Sequence, residues 1–193
     1  MTETLELVPR QWKVIQHVRE KFSYRACEAI SQPPAPFHPI SRGRAGPRLL
    51  AHILFAKYGL HLPLNRQSTT YAHEGIALDV STLADWVGAA AATLMPLVEE
   101  IKAHVLAGER IHADDTTVQV LAKGKTRTGR VWTSDEGGRR AAIYTLIQTA
   151  KLNDVDPQAW LADALAWLPD HPASRIADLL PWNWKPPAIS AAA

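Results

Sequence analysis

Apolar residues recur at helical spacing over most of the chain after Pro47. Pro47 suits the first turn of a helix, and the apolar positions after it have the spacing of one helix face. A second helix is predicted over residues 63–74, because Gly75 suits the position after a helix C-terminus. Ser81 is the predicted N-cap of a long third helix that Pro96 kinks. Its apolar stripe comprises Leu83, Trp86, Val87, Ala90, Leu94, Leu97, Val98, Ile101 and Val105.

The same spacing predicts two further helices toward the C-terminus. Residues 139–153 form the first, with an inward stripe of Ile143, Leu146 and Ile147. Asp156 and Pro157 suit the cap and the first turn of the second helix. Its apolar stripe comprises Trp160, Leu161, Ala164, Leu165 and Leu168.

A β-hairpin is predicted in the middle of the chain. Residues 110–118 are rich in β-branched and apolar residues, and a turn signal at 123–125 lets 130–133 return as a partner strand. Partial alternation before residue 25 indicates a small N-terminal β-ribbon, and the proline-rich residues 31–39 form an extended linker. The predicted fold is therefore mainly α with a small β component.

Charge and cysteine content narrow the function only slightly. The net charge of +2 permits nucleic-acid binding without requiring it. A single cysteine excludes an intrachain disulfide and a zinc site built from cysteines. Neither a signal peptide nor a long apolar run is recognised, so we expect a cytoplasmic protein without a membrane partner.

The hairpin carries the candidate chemistry. Because side chains alternate along a strand, Asp114 shares a face with His112 and Thr116, while Asp115 lies on the other face. A carboxylate on a strand can hold a divalent cation, but such a cation needs several oxygen ligands. A pair of neighbouring acids on a strand is also common as plain solvated surface.

The pair of helices over residues 63–74 and 81–92 is consistent with a helix-turn-helix. In that arrangement Ser81 and Thr82 would face DNA, and Arg66 and Gln67 would contact its backbone. Basic residues in the preceding loop, Arg42 and Arg44, could also contact phosphates. The alternatives are an ordinary helical hairpin and a solvated loop.

Several motifs, taken in order, resemble transposases of the bacterial insertion-sequence sixty-six family. The resemblance covers most of residues 5–184. It rests on motifs at residues 46–52, 57–58, 61–67, 81–88, 112–116, 137–153 and 171–184. It implies a DNA transposase with a ribonuclease-H-like catalytic domain and an Asp-Asp-Glu triad that binds Mg²⁺ or Mn²⁺. Asp114 matches the first acid of that triad and would be both catalytic residue and metal ligand.

The chain departs from the family pattern in two places. In the family, a long stretch with the second Asp and the Glu follows the hairpin, whereas here residues 130–132 run almost directly into residues 134–138. We therefore expect an internal deletion near Trp132, and Asp135 and Glu136 do not match the missing acids. Cys27 is the only cysteine left of a zinc-binding region, with Tyr24 where a partner is expected, so we expect the zinc site to be lost.

The resemblance and the patterns together predict five parts. Residues 1–45 are a remnant of the zinc-binding-like region with the linker, and 46–108 are the helix-turn-helix-like region. Residues 109–136 are the first-Asp hairpin of a truncated catalytic domain, 137–184 a C-terminal helical element and 185–193 a disordered tail.

Three hypotheses for the function remain open. The chain is a transposase-derived protein without catalytic activity; or a DNA-binding module that binds transposon ends, with a second copy or an intact transposase as partner; or a remnant that folds poorly.

Overall fold

The protein is mainly α-helical with a small β component, as the sequence predicts. A computed structural model describes residues 10–23, 30–34, 38–40, 44–109, 116–122, 124–131 and 138–186. The chain divides into two compact units, residues 1–37 and 38–193, which are described separately.

The N-terminal unit contains one very short antiparallel ribbon. Strands β1 (Phe22–Ser23) and β2 (Ile30–Ser31) pair in the register Phe22↔Ser31. The ribbon predicted over residues 4–10 and 12–24 is therefore not the one observed, because residues 10–21 have no regular structure, Val14 is 94% exposed, and the second strand comes from Ile30–Ser31 at the start of the predicted linker. An isolated pair of strands is marginal in water without a face to pack against. Residues 1–9 and 24–29, which include Cys27, lie outside the described residues.

The helices of the second unit form one core. They are α1 (Pro47–Leu54), α2 (Leu64–His73), α3 (Val80–Leu106), α4 (Gly138–Leu152) and α5 (Pro157–Trp167). Helix α1 packs on α5, and α4 packs on α3 and α5. The predicted stripe of α4 is confirmed, and so is that of α5 through Leu165, because the side chains that fill this core include Ile143, Leu146, Ile147, Trp160, Leu161, Ala164 and Leu165. Leu168, the last predicted member, lies beyond the end of α5 and is half-buried.

Helix α3 differs from its prediction at both ends. It begins at Val80 with Asp79 as the N-cap residue, so Ser81 lies inside the first turn rather than at the cap. Both residues are cap formers, and sequence alone does not choose between them. The predicted stripe holds through Ile101, but Val105 is 53% exposed. Pro96 lies inside the helix, and the kink there stays a prediction.

Length and composition would allow α3 to cross a membrane, which was not expected from the sequence. The core helix of a globular protein meets the same criterion, and α3 buries a stripe against α2 and α4.

A hairpin of two seven-residue strands follows α3. Strands β3 (Thr116–Ala122) and β4 (Lys125–Val131) are antiparallel in the register Thr116↔Val131, and Gly124 adopts a φ of +74° in the turn. Glycine reaches this left-handed conformation without steric cost. The predicted hairpin is confirmed, with a return strand that starts earlier than expected. Asp114 and Asp115 lie outside the described residues.

Contacts of tryptophan side chains hold the segment after α5 against the core. Two short 3₁₀ turns (Leu168–Asp170 and Ala173–Leu179) follow α5. Trp160 Nε1 donates to the Leu179 carbonyl at 2.8 Å, and Trp184 Nε1 donates to Asp163 Oδ2 at 3.0 Å. The ring of Trp182 lies 4.8 Å from that of His104 on α3. Of the predicted tail, residues 187–193 lie outside the described residues.

Candidate nucleic-acid interface

Helix α2 separates a buried side from a polar exposed side. Gln67 and Tyr71 point into the core, and both are almost completely buried. The exposed side contains no carboxylate and comprises Asn65, Arg66, Thr69, Thr70, Ala72 and His73. Phosphate is recognised by cations and by neutral polar groups, and a nearby carboxylate would repel it. The exposed side of α2 is therefore compatible with a DNA backbone.

Gln67 does not belong to that surface. Its side chain is 1% exposed, and its Nε2 donates to the Leu62 carbonyl at 3.0 Å and to the Ile53 carbonyl at 3.4 Å. Its Oε1 accepts from the Tyr71 hydroxyl at 3.1 Å. The two shorter bonds of Gln67 thus tie the connector that follows α1 to α2, and the longer contact reaches α1. The expected contact with the DNA backbone is wrong for Gln67 in this fold, whereas Arg66 is exposed.

The connector between α2 and α3 is a defined turn of six residues, 74–79. Gly75 has a φ of +85°, the Ile76 amide donates to the Tyr71 carbonyl at 2.9 Å, and Ser68 Oγ donates to the Leu78 carbonyl at 2.6 Å. This turn is longer than the three or four residues of a helix-turn-helix. The helix-turn-helix assignment accordingly stays a prediction.

The start of α3 combines neutral polar side chains with two carboxylates. Ser81 is exposed and Thr82 is half-buried, but Asp79 and Asp85 are exposed beside them. The helix N-terminus favours an anion through its unpaired N–H groups, whereas the two carboxylates disfavour one. These opposed effects leave α2 as the better candidate for phosphate contact.

The segment that leads into α1 provides further exposed cations. Arg44 is exposed next to the fully buried Ala45, and Arg48 is exposed in the first turn of α1. Arg42 lies outside the described residues. Arg48 also lines a shallow cavity of about 250 Å³ with Asp163 of α5 and with Asp156, the N-cap residue of α5. These two carboxylates partly offset the positive charge of Arg48.

A second concave surface was missed by the sequence analysis. Lys57 and Tyr58, which lie in a π-helical turn (Phe55–Gly59) after α1, line a cleft of about 440 Å³ with His61, Pro63 and Tyr144. All five belong to motifs that already stood out, but nothing in the sequence brings Tyr144 of α4 next to the other four. Among the residues that the structure describes, no carboxylate lines this cleft.

No group of three or more metal-ligating side chains occurs in the parts of the chain that the structure describes. Asp114, the predicted metal ligand, is outside them. Metal binding by the hairpin therefore depends on which acidic residues the sequence provides there.

Comparison with protein families gives three matches. Residues 42–152 match the model of the transposase IS66 family, and residues 145–182 match the IS66 C-terminal element. Residues 1–28 match the zinc-finger binding domain of transposase IS66.

Three proteins of Sinorhizobium fredii (strain NBRC 101917 / NGR234) are similar, and all three are named as uncharacterized. Protein y4hP is 61% identical over 133 residues, which is 69% of this chain and 24% of that protein. Proteins y4qI and y4jD are 37% identical over 131 and 128 residues, which is 68% and 66% of this chain and 24% and 25% of those proteins. The chain thus spans about a quarter of the length of the curated relatives it matches. No solved structure matches it.

Proposed function

Because this chain belongs to the IS66 family of transposases, we propose that it binds transposon-end DNA and lacks a complete catalytic site. Strand transfer in the family would need an Asp-Asp-Glu triad, of which only Asp114 has a match here. The retained role is then recognition of DNA by the helical region.

One observation carries the catalytic part of the proposal. Strand β4 ends at Val131 and helix α4 begins at Gly138, so residues 132–137 are the whole connection between them. A typical strand alone uses five or six residues, so six residues leave no length for a further strand and its turns. A ribonuclease-H-like sheet that presents a second and a third acid does not fit into this connection.

The consequence for metal binding follows from the number of ligands. Two divalent ions stabilise the attacking and leaving oxygens of a phosphodiester only when several carboxylates hold both ions. Mg²⁺ held by Asp114 alone would keep most of its waters and bind weakly. We therefore infer that Mg²⁺ or Mn²⁺ supports no strand transfer by this chain.

The donor set of the N-terminal segment does not fit structural zinc either. Residues 1–28 match a zinc-finger model, yet Cys27 and His17 are their only sulfur and imidazole donors. A structural zinc site requires four ligands, almost always cysteine and histidine. We infer that this segment no longer folds around zinc, and no part of the proposed function depends on that metal.

DNA binding is supported by the charges of the second unit. The carboxylate-free exposed side of α2 carries Arg66, and Arg44 is exposed ahead of α1. Ser81 and Thr82 remain candidates for contact with bases. We further propose that the chain acts in the cytoplasm, with a second copy or an intact transposase as its protein partner.

Binding of duplexes at increasing salt concentration tests this proposal. The chain is titrated into a labelled duplex with candidate transposon ends and into a scrambled duplex of equal composition. We expect tighter binding to the ends and an affinity that falls steeply with salt. Equal binding to both duplexes, or no binding, contradicts the proposal.

The variant Arg66→Gln tests whether the exposed side of α2 is the surface that contacts DNA. Loss of one phosphate contact weakens binding to all sequences and lowers the salt slope by about 1. Arg175→Gln is the matched control, because the Arg175 guanidinium is exposed but paired with Asp178 at 2.7 Å. If both variants lose the same affinity, general charge rather than α2 accounts for binding.

A further inference from the structure

The cleft beside the π-helical turn joins three separate parts of the second unit. Lys57 and Tyr58 come from the turn, His61 and Pro63 from the connector to α2, and Tyr144 from α4. Lys57 Nζ lies 5.4 Å from the centroid of the Tyr58 ring. Tyr144 is 47% exposed and also lines the cleft, so part of its side chain is accessible there.

The backbone around the cleft adopts conformations that are uncommon. The π-helical turn is closed by the Leu60 amide, which donates to the Phe55 carbonyl at 3.0 Å, and Leu62 donates to Ala56 at 2.8 Å. His61 has a φ of +55°, which is costly for a residue with a side chain. Both π-turns and such backbone strain are concentrated at functional sites. Lys57, Tyr58 and His61, which line the cleft, all lie in this segment.

The side chains of the cleft match the parts of a nucleotide. The Lys57 ammonium complements a phosphate, and the tyrosine rings offer flat apolar faces to a base. A base presents its face only when it is unpaired, because both faces are covered in a stacked duplex. The volume of about 440 Å³ is within the range of small-molecule pockets.

We propose that this cleft binds one nucleotide of a single-stranded stretch of DNA, with the base against Tyr144 or Tyr58 and the phosphate at Lys57. The inference rests on the proposed function, since it takes DNA as the partner, but it names a site and a form of DNA that the helical surface of α2 does not require. Unpaired nucleotides are expected where a transposon end is opened or processed.

Binding of a labelled twelve-nucleotide single strand tests the cleft. Tyr144→Ala removes an accessible ring, and we expect about tenfold weaker binding of the single strand with little change for a duplex. Trp167→Ala is the matched control, because Trp167 is a 63% exposed aromatic residue that does not line the cleft. Lys57→Gln should lower the salt slope for the single strand by about 0.7, and Lys151→Gln, an exposed lysine of α4, should leave it unchanged. Thermal melts of all four variants establish that each is folded.

Three outcomes separate this inference from the proposed function. Weaker single-strand binding by folded Tyr144→Ala and Lys57→Gln, with both controls unchanged, supports the cleft, even if end and scrambled duplexes bind equally. If both variants bind the single strand as tightly as the native chain does, the cleft proposal is wrong, while end-specific duplex binding still supports the proposed function. If no form of DNA binds, both are wrong.

Discussion

Replacement of Gln67 by leucine tests whether this residue supports the fold or contacts DNA. Leucine has a similar volume but offers no hydrogen bond, so Gln67→Leu removes the polar contacts without opening a large cavity. The change deprives the Leu62 carbonyl and the Tyr71 hydroxyl of their partner. The bond to the Ile53 carbonyl, at 3.4 Å, is too long to contribute much.

The magnitude follows from the two shorter bonds. Each buried polar group that loses its partner costs about 1–3 kcal/mol. The Leu62 carbonyl is only partly buried, so its share is at the low end. We therefore expect Gln67→Leu to reduce the free energy of unfolding by about 2–3 kcal/mol. That is a large fraction of the 5–15 kcal/mol that is typical of a domain.

The assay is urea denaturation followed by circular dichroism, with DNA binding measured on the same samples. Gln67→Leu should lower the urea midpoint, and the double variant Gln67→Leu/Tyr71→Phe should recover part of the loss because the hydroxyl that loses its bond to Gln67 is removed. Gln158→Leu serves as the control, since Gln158 is half-buried and its contact with His52 is long at 3.3 Å. An unchanged midpoint with weaker DNA binding would refute the structural role and restore the assignment made from the sequence.

The remaining stability predictions concern local geometry. A Cβ at Gly59 would lie 2.7 Å from Cε2 of the Phe55 ring, so Gly59→Ala should cost about 1–3 kcal/mol through overpacking; a thermal melt equal to that of the native chain would contradict this. Asp156 accepts from the amides of Gln158 and Ala159, both at 3.2 Å, so Asp156→Ala should cost about 1 kcal/mol in urea denaturation. Asp85→Ala, at an exposed position inside α3, is the control and should change stability by less than about 0.5 kcal/mol; an equal loss in both variants would count against the cap.

Helices with strong local signals were predictable from the sequence. The stripe of Ile143, Leu146 and Ile147 is buried as expected, and Asp156 with Pro157 begins α5 as expected. In these segments the helical period and the capping chemistry act within a few residues, so a single sequence contains the whole signal.

Features that depend on contacts between elements were not predictable. Gln67 is buried because its partners come from α1 and the connector. Its neighbours in the sequence of α2 are also polar, so the sequence does not indicate that this one side chain points into the core. The π-helical turn and its cleft were missed because Lys57 and Tyr144 are far apart in sequence. For the exposed candidates, Arg44, Arg66 and Ser81, the sequence identified residues that are accessible, but their contact with DNA stays a prediction.

The most direct test of the account is nicking and strand transfer of DNA with candidate ends, in the presence of Mg²⁺ or Mn²⁺. The native chain is compared with Asp114→Ala and with Asp115→Ala, which removes the neighbouring carboxylate that the resemblance does not assign to the triad. We expect the folded native chain to bind the ends but to cleave no more DNA than either variant does. Cleavage that Asp114→Ala abolishes and Asp115→Ala retains would contradict it, because other acids would then complete the site.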